Sequence, residues 1–146
     1  MPVSPEIAEN NRVQRERLKK LVASLDDAGL RRRLPNGWTV AMTLGHLAFW
    51  DRQRFCLLKR WAAGDYQTGA YGSDVFNDAV MPLLDLIPPE KLAAFAVTAA
   101  EEVDALLLEL PDSVIADALS RPDAPHVNRG EHRGHHLDRI EAALRA

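Results

Sequence analysis

The sequence predicts an all-α protein, a four-helix bundle with short extra helices in the connections, in one domain over residues 1–146. Three observations carry that prediction. Four long segments repeat apolar residues at three- and four-residue steps, the period of an amphipathic helix. Prolines, glycines and side-chain caps punctuate the chain, and the joins they mark are short. No stretch alternates with period two for long enough to be a strand. Helices of this kind bury their apolar stripes against one another, which makes a bundle.

Ser4 as N-cap, Pro5 at the first helical position and Glu6 in the first turn open the first helix. Ile7, Gln14, Leu18, Leu21, Val22 and Leu25 then share a face, to about Asp27, with Gly29 near the end. Arg31-Arg32-Arg33, the only compact basic cluster, reads as a solvated helix end that suits the macrodipole. Pro35-Asn36-Gly37 is turn chemistry. Thr39 caps a second helix, although Met42 stands where a capping box would want Glu or Gln. From Val40 to about Ala63 that helix carries Leu44, Leu47, Phe49, Trp50, Leu57, Leu58 and Trp61, and Gly64 stops it.

Gly64 to Gly72 reads as an exposed connection, followed by a short helix from Ser73 to about Leu86 that Pro82 interrupts or Pro88 ends. Pro88-Pro89-Glu90 starts a long Ala- and Leu-rich helix to Leu110. Pro111-Asp112-Ser113 begins a short helical turn to about Leu119, and Arg121-Pro122-Asp123-Ala124-Pro125 is a loop. The last helix runs from about His126 to the C-terminus.

Composition excludes several functions. A net charge of -3 and a pI near 5.9 give no basic field for nucleic acid. No segment approaches the roughly 18–20 unbroken apolar residues of a membrane span. The polar N-terminus lacks the apolar core of a signal peptide, and one cysteine, Cys56, makes no internal disulfide. The expected location is the cytoplasm.

Chemistry concentrates in the histidines. His132 and His136 stand four apart, hence on one helical face about a turn apart, where both can grip one ion. His46 lies on an inward-leaning face near Phe49, Trp50 and Gln53. Bundle cores build metal sites in this way, from inward side chains on facing helices. Three imidazoles leave open positions on a divalent metal, the layout of a reactive centre. His135 is displaced by about 100° from His136 and reads as a bystander, as does His126 at the helix start. Cys56 is some 15 Å along the helix from His46, too far to share its ion, and reads as a small core hydrophobe. Trp50 reads as core packing. Asp51 is open to three roles: orienting a histidine, a solvated face, or a local ion pair.

Gly37-Trp38-Thr39-Val40, Gly45-His46-Leu47-Ala48-Phe49-Trp50-Asp51, Asn77-Asp78 ahead of Pro89-Glu90, and His132-Arg133-Gly134-His135-His136-Leu137 together resemble the DinB/YfiT-like superfamily, damage-inducible four-helix metalloproteins. The resemblance spans about residues 4 to 144. It implies the fold derived above and a nickel or zinc ion on His46, His132 and His136. The departures are Met42, where an acidic residue is common, and the extra His135. Relatives of this kind include transferases that use bacillithiol, mycothiol or glutathione, and a maleylpyruvate isomerase, and homodimers are common among them. The resemblance therefore implies a thiol S-transferase or hydrolase, with a low-molecular-weight thiol or water attacking a small electrophilic substrate. The alternative is a non-enzymatic, stress-associated bundle stapled by its metal. Polar groups converging above the metal would favour catalysis, and a closed apolar lid the staple.

Overall fold

The computed structural model describes residues 3–67, 72–121 and 126–146. Among them stand seven helices and no strand: α1 (Pro5–Ser24), α2 (Asp27–Arg31), α3 (Val40–Ala62), α4 (Ser73–Leu84), α5 (Pro89–Glu109), α6 (Asp112–Ser120) and α7 (Arg129–Arg145). The only bridge among the described residues joins Arg33 to Thr39 across the turn before α3. No helix of the described residues is long and apolar enough to cross a membrane.

The starts follow the expected capping. Ser4 Oγ accepts from the Ile7 amide at 3.2 Å, and Thr39 Oγ1 from the Met42 amide at 3.0 Å. Gly64, at φ +81°, supplies the left-handed turn past the end of α3. The first helix ends earlier than its periodicity suggests, at Ser24. Leu25 is extended, and Asp26 accepts from the Gly29 amide at 2.7 Å, so a new cap opens α2 and Gly29 lies inside a helix. The fourth helix stops at Leu84 with Pro82 inside its last turn. His126 is not at the start of the last helix. Asn128 caps α7 by accepting from the Glu131 amide at 3.1 Å, three residues further on than expected. The central part of the Gly64–Gly72 connection and most of the Arg121–Pro125 loop lie outside the described residues.

The four long helices form the bundle. α1 packs on α5 and α7, and α3 packs on the same two, so α1 and α3 occupy opposite corners. The core has two main apolar parts and a small third of Leu57, Trp61 and Ala118. One main part gathers Leu18, Leu44, Leu47, Ala96 and Ile140, and the other Leu58, Val103, Leu107, Ile115 and Val127. Between them along the helices comes a polar layer with one buried residue from each corner: Asn11, Asp51, Asp104 and Arg133.

Candidate metal centre

Two helices present the three imidazoles. In α7, Gly130 and Gly134 face α1. A Cβ on Gly130 would stand 2.6 Å from the Asn10 carbonyl oxygen, so only glycine permits this approach. His132 and His136, each two residues on and so about 200° around the helix, point the other way, toward α3. There His46 meets them. Its Nε2 lies 3.2 Å from His132 Nε2, and one donor nitrogen from each of the three rings falls within 4.8 Å of the others. Imidazole nitrogens bound to one first-row ion sit roughly 3 Å apart, so the closest pair already has that spacing. This donor set could hold a divalent ion of borderline softness.

The rings are in the ligand form. Burial pushes His46 down to about 4, with a hydrogen bond to Asn77 opposing the shift and Arg129 adding to it. Burial also lowers His136 to about 3, helped by His46 and His135, and His132 to about 2, helped by Arg129. At neutral pH all three are uncharged with a lone pair available.

A layer of charge holds His132 in place. Arg129 donates from Nε to Asp51 Oδ1 at 2.8 Å and reaches His132 Nδ1 with Nη2 at 3.3 Å. Asp51 also accepts from Arg133 Nε at 3.1 Å, and Arg133 continues to Asp104 at 2.8 and 2.9 Å. Arg15 closes the chain on Asp104 at 2.7 Å. Asp51 is thus a fully buried bridge rather than a solvated face, and it acts on His132 only through Arg129.

The imidazoles form the floor of a cleft of about 740 Å³. Trp38 packs its ring 5.1 Å from that of His46. Trp50 is half-buried in the cleft wall instead of in the core, and its indole N–H donates to Asn77 Oδ1 at 2.9 Å. Arg54, Ser73 and Asn128 add polar walls. His135 and His126 line the cleft too, but neither belongs to the cluster. Cys56 is exposed, contrary to its reading as a core residue, because it lies on the outer face of α3. Arg31, Arg32 and Arg33 are exposed as expected, Arg31 paired with Asp27 at 2.9 Å.

Sequence reasoning missed Arg129, Arg133 and Asp104. The signal was present: Asp51 follows Leu47, and Asp104 follows Ala100, at the four-residue step of buried apolar positions. A carboxylate in that register needs a buried cation.

Fold and site define a class: an all-α bundle with a buried three-histidine cluster that could hold a metal ion. The family model of the DinB superfamily matches residues 11–138. The chain belongs to the DinB superfamily. No curated protein and no solved structure matches it significantly.

Proposed function

We propose that this chain is a metal-dependent enzyme, a thiol S-transferase or hydrolase acting on a small electrophile. His46, His132 and His136 would hold one divalent ion, nickel or zinc. The observation that carries the reading is the position of three neutral imidazoles on the floor of an open, polar cleft. A structural clamp is usually closed by four protein ligands, and this cluster offers three. A bound ion supplies the Lewis acidity that deprotonates a thiol, or water, near neutral pH.

The chain's own residues do the rest. Arg129 orients His132 and is itself fixed by Asp51. Trp38 and Trp50 wall the cleft and restrict water. Asn77, Ser73 and Asn128 offer hydrogen bonds to a substrate beside the imidazoles. Polar walls favour this reading over the metal-stapled, non-enzymatic bundle, which would need an apolar lid.

Cobalt-substituted protein tests it. A low-molecular-weight thiol should perturb the d–d bands if sulfur is the nucleophile. Unchanged bands with turnover of esters or amides would select the hydrolase. Bands indifferent to thiols and oxygen ligands alike, with no turnover, would favour the staple. The reading includes a homodimer, supported by the exposure of Leu83 and Leu86 around the end of α4 and of Phe95 and Leu108 on α5. Light scattering should give twice the mass of one chain at micromolar concentration, and a monomer would contradict it.

A further inference from the structure

Arg54 is a cation without a counter-ion. It sits in the cleft wall one turn after Trp50, its guanidinium over that indole at 5.3 Å from the ring centroid. One nitrogen, Nη1, donates to Gln53. Its Nε is shut off from solvent with no hydrogen-bond partner, and no carboxylate pairs with Arg54 among the described residues. The nearest acid, Asp51, already gives one oxygen to Arg129 and the other to Arg133. Glu131, the acid lining the cleft, is exposed and accepts from Asn128 instead.

Burying a guanidinium is costly unless something charged meets it. Nε is closed to solvent as the side chain stands, so a carboxylate in the cleft meets Arg54 through its terminal nitrogens, a planar fork that suits two oxygens. Arg54 lines the same cleft as His46, His132 and His136. Burial and the neighbouring Arg129 press its own pKa down to about 10, and Asp51 opposes the shift.

We propose that Arg54 is the carboxylate-binding residue of the cleft, so that one of the two reactants carries a carboxylate and is anchored there beside the imidazoles. This inference rests on the reading of the cleft as a substrate site. It does not require the metal.

Isothermal titration with 3-phenylpropionate and its neutral amide, 3-phenylpropionamide, tests it on zinc-loaded and on chelator-stripped protein. The acid should bind about tenfold tighter than the amide in both forms, as a charge-assisted hydrogen bond implies. Arg54→Gln should abolish that preference by weakening the acid more than the amide, and Arg54→Lys should restore part of it. Far-UV circular dichroism of both variants establishes that they fold. Equal affinity for acid and amide in the wild type, no measurable binding of the acid, or a preference that survives Arg54→Gln would each overturn the assignment. A wild type that takes up no zinc would defeat the metal centre and leave the stripped-protein comparison intact. Competition by 3-mercaptopropionate against 2-mercaptoethanol then identifies the source. A large advantage for the former on zinc-loaded protein places the carboxylate on the thiol, and none places it on the electrophile.

Discussion

Arg129 serves two groups at once. It has only donors, so His132 Nδ1 faces it as an acceptor, which leaves the proton of the neutral ring on Nε2 beside His46. An ion taken up at Nε2 must shift that proton to Nδ1 and turn Arg129 aside, and acid, which protonates the rings, competes with loading. The metal-free protein should also be sensitive to acid, with a defined sign. The unfolded chain protonates its histidines below about pH 6.5, whereas the folded rings titrate only near 4, 3 and 2. Their contribution to stability is present above the unfolded value and is lost as pH falls through the folded ones. Thermal melts of stripped protein should show Tm dropping by several degrees from pH 7 to 5, and the drop should shrink in the His46→Ala/His132→Ala/His136→Ala variant. A wild-type Tm indifferent to pH over that interval would contradict the buried, neutral placement. The three histidines were legible in the sequence because four-residue spacing maps directly onto a helix face. Their supports were not, since Arg129 and Arg133 look in sequence like solvated charge on a polar helix.

At the scale of elements, α7 is positioned by what it lacks. Gly130 lets the helix touch α1 backbone to side-chain-free backbone, and Asn11 fastens it there by accepting from the Gly130 amide at 2.7 Å. Gly130→Ala forces the two helices apart and should cost about 1–3 kcal/mol, with a weaker apparent zinc affinity because His132 and His136 move with the helix. Gly134→Ala meets only the Gln14 side chain, at 3.2 Å, and should cost less. Chemical denaturation of the two variants compares them, and equal losses would refute the close-approach argument. Most helix ends were readable from Ser4, Thr39, Gly64 and Pro89, whose effects are local. The division of the first predicted helix at Leu25 was not, because hydrophobic periodicity continues across Asp26 while the cap does not. The late start of α7 escaped in the same way: Asn128 sits among polar residues with no periodic face to mark it.

In the molecule as a whole, the two main apolar clusters are joined by a layer in which Asp51, Asp104, Arg133 and Asn11 meet from four helices. A buried pair of this kind adds little net stability, yet removing one partner leaves an uncompensated charge. Asp104→Asn should therefore destabilise the protein by about 3–5 kcal/mol, read as a Tm loss of roughly 10 °C or more. An unchanged Tm would mean that the layer is hydrated or slack. The same layer carries Arg129 to His132, so the scaffold and the site are one network. The bundle could be anticipated from periodicity alone, whereas the cleft could not, because its walls come from α3, α4, α7 and the segments leading into α3 and α7, and exist only after packing. With His132 so fixed, His46 and His136 would complete the grip on one divalent ion. Elemental analysis of purified, metal-reconstituted protein tests it most directly. One ion per chain is expected in the wild type and in His135→Ala, with sharp loss in each of His46→Ala, His132→Ala and His136→Ala. Full occupancy in the His132→Ala/His136→Ala double variant, or none in the wild type, would contradict the account.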